Sequence, residues 1–442
     1  MKLKSYPKYK DSSIQWIGKI PEGWEVRKIK QICSKSAEYG LNEPSDNYVE
    51  EGVRFLRITD ITENERLIKN GVYLPENKTN KEYLLDTGDV LVARSGSIGT
   101  SLYFDKRKYG ECLFAGYLVR FVVNKSNSGR FLYYFTNSGS FYAQIELATI
   151  QTTIGNFNGQ KYANMRITIP SLPEQTAIAN FLDKRTTEID ALIEKDKKLI
   201  ALLKEKRIAL INHAVTKGLN SNAKLKDSGI EWIGEIPEGW EVKKLKFVSE
   251  KITTGKTPPS ENYGYYDNGE INWFTPGDMG DEFILKKSTR KITSLALLEN
   301  KTTKYQPKTV LLVGIGATLG KVGMITDIGT SNQQINAIQF DELEINPKYG
   351  LYYLYGYKNA IISLSNTSTI GIFNQTQTAN FFIIISPKEE QQKIVDHLDK
   401  ATAKIDKIIK HIENKIKLLE EYKKSLIHHA VTGKIDVKEA VA

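Results

Sequence analysis

The sequence predicts an α+β protein. Two α/β domains are expected, separated by two long helices that form an antiparallel coiled coil, the whole arranged as a pseudo-two-fold internal repeat. Three observations predict this. A 20-residue segment is written twice in the chain. Two stretches of more than forty residues lack Gly and Pro and carry apolar stripes at helical spacing. The regions between them are strings of short β-like runs broken by Gly, Asn, Asp and Ser.

The repeat organises everything else. Residues 11–30 read DSSIQWIGKIPEGWEVRKIK and residues 227–246 read DSGIEWIGEIPEGWEVKKLK, 15 identities in 20 positions at an offset of 216. The same offset returns at Thr153-Ile-Gly-Asn-Phe-Asn158 and Thr369-Ile-Gly-Ile-Phe-Asn374, and at Glu174-Gln175 and Glu390-Gln391. It returns again at Ile189-Asp190 and Ile405-Asp406, and at His213-Ala-Val-Thr216 and His429-Ala-Val-Thr432. One unit of about 216 residues is therefore duplicated, a period far too long for a solenoid. The expected divisions are an entry segment (1–30), a mixed domain (31–170), a central helix (171–219), a linker with the repeated entry segment (220–246), a second mixed domain (247–386) and a C-terminal helix (387–442). The frame is alike in the two copies and the mixed regions are not. That is the pattern of a scaffold presenting two different readers.

The first helix is expected from Glu174 to about Thr216. Its stripe is Ile178, Leu182, Ile189, Leu192, Leu199, Leu203 and Leu210, interrupted by Arg185, Asp196 and Lys206. Ser171-Leu-Pro-Glu174 reads as a capping box with Pro in the first turn, and Gly218 stands where a C-terminal cap belongs. The second helix is expected from about Lys388 to Thr432, with the stripe Ile394, Leu398, Ile405, Ile408, Leu419, Tyr422 and Leu426. Ser386-Pro-Lys-Glu389 is its capping box and Gly433 its stop. A helix of about 43 residues is roughly 65 Å long and cannot bury such a stripe alone. Two equivalent helices bury each other most simply as an antiparallel pair, with shoulders left for another protein's helices.

The mixed regions carry strand-like runs such as Val53–Ile58, Asp89–Ala93, Tyr117–Val123 and Arg166–Ile169. In the second copy these are Ile271–Phe274, Val310–Val313, Ala337–Phe340 and Phe382–Ile385. Helix-like stretches lie near 128–147 and 346–364. The loops hold the candidate contacts. Arg94-Ser-Gly-Ser-Ile-Gly99 follows a strand, and its Arg94, Ser95 and Ser97 suit phosphate or base edges. Its counterpart is Ile315-Gly-Ala-Thr-Leu-Gly320, with Thr318. Ser331-Asn-Gln-Gln-Ile-Asn336 offers the amides of Asn332, Gln333 and Gln334, a bidentate match to adenine. Lys106, Arg107, Lys108, Lys286, Lys287, Arg290 and Lys291 read as neutralisers of a phosphate backbone, and Arg57, Lys256 and Thr257 complete the set. Each group also has a plainer reading, as turn chemistry or as a solvated charge.

Composition narrows the class. Sixty-two Lys+Arg against 52 Asp+Glu give a net charge of +10 and favour a polyanionic partner, nucleic acid before an acidic membrane. Each long helix nets only +1, so most of the excess lies in the rest of the chain. Cys33 and Cys112 form no C-x-x-C pair and no disulfide framework, which fits a reducing, cytoplasmic setting. The polar opening MKLKSYPKYKDSS has no apolar signal segment. No run approaches a membrane span, and Phe381-Phe-Ile-Ile-Ile385 has the length of a buried strand.

Catalytic motifs are incomplete. Lys251-Ile-Thr-Thr-Gly-Lys-Thr257 imitates the end of a phosphate loop, but Glu250 occupies the place of its first glycine. Gly314-Ile-Gly316 with Gly320 is one residue wrong for a dinucleotide fingerprint. There is no amine-holding Asn-Pro-Pro-Tyr tetrapeptide, no nominated Ser–His–Asp set and no metal site. His428-His429 reads as helix-end packing.

With these residues in view, the sequence resembles a specificity subunit of a type I restriction–modification enzyme. The twin I-[QE]-W-I-G-x-I-P-x-G-W-E-V-x-K-[IL]-K segments, the twin Pro173-Glu-Gln175 and Glu389-Glu-Gln391 helix starts, the twin His-Ala-Val-Thr helix ends and the two glycine loops carry the resemblance. It implies that each mixed region is a target-recognition domain for one half of a split site in double-stranded DNA. It implies that the helices set the unread gap and dock two modification subunits, which methylate adenine with S-adenosylmethionine. Restriction subunits using ATP and Mg²⁺ would join, and this chain would hold no catalytic site or cofactor. A coiled-coil adaptor without DNA binding and a self-contained nuclease–methyltransferase are the rival classes. The first leaves the two basic, loop-rich domains unexplained, and the second lacks its motifs.

Overall fold

The computed structural model describes residues 4–14, 17–62, 67–75, 82–150, 157–280, 282–365 and 371–437. Gln15 and Trp16 of the first entry segment, Thr153–Asn156 and Thr369-Ile370 lie outside them. The chain forms two compact units. The first comprises residues 1–197 with 412–442, and the second residues 198–411. Both divisions fall inside the long helices.

Each unit is built to one plan. An entry hairpin (Tyr9–Asp11 with Lys19–Pro21; Leu225–Asp227 with Glu235–Pro237) turns at Gly18 and Gly234, whose φ of +66° and +74° favour glycine. The hairpin leads to a buried Trp24 or Trp240. The next strand, Glu25–Lys28 or Glu241–Lys244, pairs antiparallel with the last strand before the long helix, Arg166–Ile169 or Phe382–Ile385. The entry segment is thus sewn to the helix start. Two repeated glutamates reinforce it: Tyr6 Oη donates to Glu174 (2.8 Å), and Trp240 Nε1 donates to Glu390 (3.0 Å).

Between these seams lie two sheets per unit. In the first unit the larger has the order 33–39, 118–123, 90–93, 101–103. In the second it is 249–254, 335–340, 310–313, 322–325, with 284–285 added at the edge. The smaller sheets are 72–74, 53–56, 112–114 and 290–292, 271–274, 329–331. In both, the central strand runs parallel to the last. The strands that fill each core read as continuous apolar runs, Val90–Ala93 and Val310–Val313, because both faces are buried. The expected single helices near 128–147 and 346–364 are each two. The first breaks between 129–136 and 139–150, where the Asn137 side chain donates to Tyr133 O (2.9 Å) and Ser138 Oγ accepts from Phe141 N (3.4 Å). The second breaks at Tyr357, between 347–356 and 358–363.

The central helix runs Leu172–Lys217 and the C-terminal helix Lys388–Val431, ended by Gly218 and Gly433 at φ of +76° and +69°. A repeated glutamine anchors each start. Gln175 accepts from Ser128 N (2.8 Å) and donates to Pro170 O (2.9 Å), while Gln391 accepts from Asn346 N (2.7 Å) and donates to Ser386 O (2.8 Å).

The buried side of the central helix is a continuous alternation of four- and three-residue steps: Leu182, Thr186, Ile189, Ile193, Asp196, Ile200, Leu203, Arg207, Leu210, Ala214. The C-terminal helix repeats it 216 residues on: Leu398, Thr402, Ile405, Ile409, Ile412, Ile416, Leu419, Lys423, Leu426, Ala430. Ile178 and Ile394 are also buried, one turn before the seam, against their domains. The expected stripe needs correction at four positions. Leu192, Leu199 and Ile408 stand off the seam, 44%, 43% and 40% exposed, as does Tyr422. Their neighbours Ile193, Ile200 and Ile409 take the seam. Adjacent apolar pairs leave the choice open in sequence; Asp196 interrupts the seam as expected, while its other polar members are Thr186 and Arg207 rather than Arg185 and Lys206.

Ion pairs set the direction of pairing. In the first unit Lys423 meets Asp190 (2.7 Å) and Lys415 meets Asp196 (2.9 Å), so the partner's number falls as the helix advances and the pair is antiparallel. In the second unit Arg207 meets Asp406 (2.6 Å), the repeat image of the Asp190–Lys423 pair. Asp196 has no such image, because Ile412 stands at the equivalent place. Asp196→Ile is expected to raise the unfolding temperature, since it completes the apolar seam and leaves the half-exposed Lys415 free to reach water. Ile412→Asp is expected to lower stability by about 3 kcal/mol. Calorimetric melting of the two variants checks the pair, and a lowered melting point for Asp196→Ile would show that the ion pair is the stronger contributor.

Candidate nucleic-acid interface

Where the first strand of the larger sheet ends, both units build the same mouth. In the first unit the chain leaves the strand at Gly40. Leu41 N donates to Phe114 O (2.9 Å), Gly116 N to Leu41 O (2.7 Å), Leu118 N to Ala115 O (2.8 Å) and Arg94 N to Tyr117 O (3.0 Å). In the second it leaves at Gly255. Lys256 N donates to Ser331 O (3.0 Å), Ile335 N to Asn332 O (3.3 Å) and Gly314 N to Gln334 O (2.8 Å). Behind the mouths Phe157 N donates to Arg94 O (2.9 Å) and Phe373 N to Gly314 O (2.7 Å). These bonds equate Gly40 with Gly255, Leu41 with Lys256, Arg94 with Gly314, and Tyr117 with Gln334. The glycines are sterically required. A Cβ on Gly40 would lie 2.0 Å from Phe114 O, and one on Gly255 would lie 2.3 Å from Asn332 O.

Two further loops complete each mouth. One is a 3-10 turn closed by a carboxylate: Asp60 accepts from Arg57 N (2.9 Å) and Asp278 from Thr275 N (2.8 Å). Burial pushes the Asp278 carboxyl up, but hydrogen bonds from Thr289 and Thr275 outweigh it and hold the group below the usual carboxylate range. The other is the glycine loop. Gly99 N returns to Ala93 O (3.0 Å) and Gly320 N to Val313 O (2.9 Å), and the second loop is one residue longer. Arg94 therefore corresponds to Gly314, a shift of one from the match with Ile315 expected from sequence.

The first mouth opens on a cleft of about 790 Å³ lined by Asn42, Tyr48, Arg57, Ser95, Ser97 and Tyr117 among others. Three of the expected residues meet here: Arg57, Ser95 and Ser97. The Arg57 guanidinium is largely engaged, on Asp60 (2.9 Å) and over the Tyr48 ring (5.9 Å). Arg94 lies over the Tyr39 ring (4.8 Å). Sequence reasoning passed over Asn42, Tyr48 and Tyr117. Tyr117 is 62% exposed although it sits between two buried strands, and a tyrosine in an Ala-Gly-Tyr junction between apolar runs was the available signal. Lys106, Arg107 and Lys108 do not line the cleft. They lie on a short helix, with Lys106 paired to Glu111 (2.9 Å), Arg107 beside Asp105 (3.5 Å) and Lys108 over the Tyr109 ring (4.7 Å).

The second mouth brings together Lys256, Thr257, Asn332, Gln333 and Gln334. Thr257 Oγ1 donates to Gln333 Oε1, Asn332 Nδ2 to Gln334 Oε1 (2.9 Å), and Gln334 N to Asn332 Oδ1 (3.1 Å). One lone pair of each of these oxygens is thus taken inside the mouth, which leaves the glutamine amides richer in free donors than in free acceptors, and Asn332 is buried in holding its neighbour. Asn336 is spent inside the domain, on Phe373 O and Thr378 (both 2.8 Å). Trp273 Nε1 donates to Lys256 O (3.2 Å), and Arg290 lies on the faces of Trp273 (4.9 Å) and Tyr266 (5.1 Å). Thr318 belongs to the glycine loop, where its carbonyl accepts from Lys321 N (3.1 Å). Lys287 and Lys291 are exposed, and Lys286 lines a different cleft, with Phe283, Lys348 and Asp399. The phosphate-loop imitation at 251–257 is a strand and its exit, with no helix N-terminus behind Gly255 to receive a phosphate.

A twofold frame with differing tips, on a basic chain, is what a reader of two nucleic-acid sites requires. Comparison with known proteins agrees. The family model for the type I restriction modification DNA specificity domain matches the chain twice, over residues 21–202 and 237–418, and the chain belongs to that family. It is 27% identical over 436 residues to a putative type I restriction enzyme MjaX specificity subunit of Methanocaldococcus jannaschii, covering 96% of each chain. It is 22% identical over 446 residues to the EcoKI specificity subunit of Escherichia coli K12, covering 95% of this chain and 90% of that one. A solved chain from work on complex assembly and conformational transition of the type I R-M system shares the fold, at a TM-score of 0.68 and 17% identity, over 94% of this chain and 99% of that one.

Gly40→Ala and Gly255→Ala are each expected to destabilise their own domain by about 3 kcal/mol or more, because the added methyl meets backbone. Gly277→Ala, whose nearest neighbour would be 3.6 Å away, is expected to change stability by less than about 1 kcal/mol. Urea unfolding followed by tryptophan fluorescence measures all three.

Proposed function

We propose that this chain is the DNA specificity subunit of a type I restriction–modification complex. Each domain reads one half of a bipartite site in double-stranded DNA. The observation that carries this reading is the double mouth: one backbone frame, twice in a chain that matches a DNA specificity family model twice, with different side chains at its equivalent positions. The excess positive charge outside the long helices supplies sequence-independent attraction to phosphate, and the mouths supply discrimination.

The helices are the proposed ruler of the unread gap and the dock for two modification subunits. A pseudo-two-fold chain suits two copies of one partner. Chemistry is assigned to the partners: methylation of adenine with S-adenosylmethionine to the modification subunits, and ATP- and Mg²⁺-dependent translocation and cleavage to restriction subunits. In this reading the chain is a non-catalytic, cytoplasmic component that holds none of these cofactors. No helix among the described residues is long and apolar enough to cross a membrane.

Methylome sequencing of a methylation-free host carrying this chain and its modification subunit is expected to reveal a split, asymmetric methylated-adenine motif that vanishes without the chain. No motif from an assembled complex would overturn the reading. Exchanging residues 31–170 for a relative's region should change one half-site only, and a change in both would refute modular reading. Inserting seven residues at equivalent points of both long helices keeps the seam in phase and adds about 10 Å. The unread gap is then expected to grow by about three base pairs at 3.4 Å each, and an unchanged gap would remove the ruler role.

A further inference from the structure

The two mouths differ in polarity, and the second is arranged to donate. Its side-chain amide oxygens each already accept one bond, Gln334 Oε1 from Asn332, Asn332 Oδ1 from the Gln334 amide and Gln333 Oε1 from Thr257, which orients both glutamines. The Nε2 groups of Gln333 and Gln334 meet no acceptor among the described residues. Lys256 beside them is exposed and can only donate. Arg290, held flat on Trp273 and Tyr266, has no carboxylate partner among the described residues. The first mouth is mixed by contrast. Tyr117, Ser95 and Ser97 carry hydroxyls that both give and take, and the Arg57 fork is turned onto Asp60.

The fold does not demand this arrangement. The first unit closes the same backbone frame with Gly116 and Tyr117 where the second has Gln333 and Gln334, so no amide is needed there. Gln333 is exposed, and the backbone of Gln334 is held by Asn332 and by Gly314 N rather than by its own side chain. What the two glutamines add is a pair of N–H donors of set orientation at the opening of a rigid mouth.

Base edges in the major groove sort by the same criterion. Guanine shows two acceptors, thymine one acceptor and a methyl group, cytosine a donor, and adenine one of each. We propose that the second domain reads its half-site through the Nε2 groups of Gln333 and Gln334 on acceptor edges, guanine foremost, and that these residues are not adenine readers. This rests on the proposed function above, and the test separates the two.

The full chain is expressed with its modification subunit in a methylation-free host, and the methylome is read for the wild type first. An assembled wild-type complex that directs no split motif defeats the specificity-subunit reading itself. Given a motif, Gln334→Glu and Gln333→Glu exchange each donor for an acceptor and keep the oxygen that Asn332 or Thr257 holds. Each is expected to lower methylation of wild-type sites by about tenfold or more and to shift one position of one half-site from guanine or thymine toward cytosine. The other half-site stays unchanged. Gln334→Leu and Gln333→Leu are expected to relax the same positions without reversing them, which separates loss of a donor from the charge of glutamate. Gln333 is exposed, so its variants assemble, and size-exclusion chromatography confirms it. An unchanged motif in the leucine and glutamate variants, a change in both half-sites, or a wild-type cytosine at the affected position overturns the proposal.

Discussion

A helix of more than forty residues with an apolar seam along most of its length cannot bury it against its own domain, and the architecture follows from meeting that need twice. In each unit a half of one long helix is covered by a half of the other, running the opposite way. The consequence shows in the first unit, which is made from both ends of the chain. Gly433, just past the C-terminal helix, packs on Pro21 and Trp24, and Lys434 donates to Lys19 O (2.6 Å). In the second unit Gly218 packs on Trp240 in the same way, but from an unbroken stretch of chain. The last residues thus do for one domain what an internal linker does for the other.

The polar members of the seam are as telling as the apolar ones. Lys423 and Arg207 occupy equivalent places and reach equivalent aspartates, Asp190 and Asp406. A stripe interrupted by such pairs gives up some hydrophobic burial. In return it penalises shifted registers, which would leave a partly buried charge without its partner. Asp196 with Lys415 departs from the symmetry and marks one helix as different from its copy.

On this scaffold the mouths are rigid where backbone meets backbone and variable where side chains meet solvent. Gly40 and Gly255 permit the close approach, and the carbonyls of Tyr117 and Gln334 are tied by the same bond to the strand behind. A frame held this way can change its presented groups without refolding. One fold can therefore serve two targets in a single chain, as family membership and the proposed function require.

The duplication, the two long helices, the α+β character and the family resemblance were all legible in the residues, because a 216-residue offset and a helical stripe are properties of order along the chain. Arg57, Ser95 and Ser97 were legible only as separate candidates, and their meeting in one cleft belongs to the fold. Other features needed the third dimension. Whether Leu192 or Ile193 enters the seam depends on the partner helix, since both are apolar and adjacent. Whether Gln334 offers an oxygen or a nitrogen depends on Asn332, whose hydrogen bond no spacing reveals. Lys106 and Arg107 look in sequence like free cations, and only folding sets Glu111 and Asp105 beside them. Periodicity and repetition specify which surfaces must be buried. Which polar atoms remain free for a ligand is decided by how side chains turn in the folded loops, as when Asn332 meets Gln334 and Thr257 meets Gln333, and that only the tertiary structure determines.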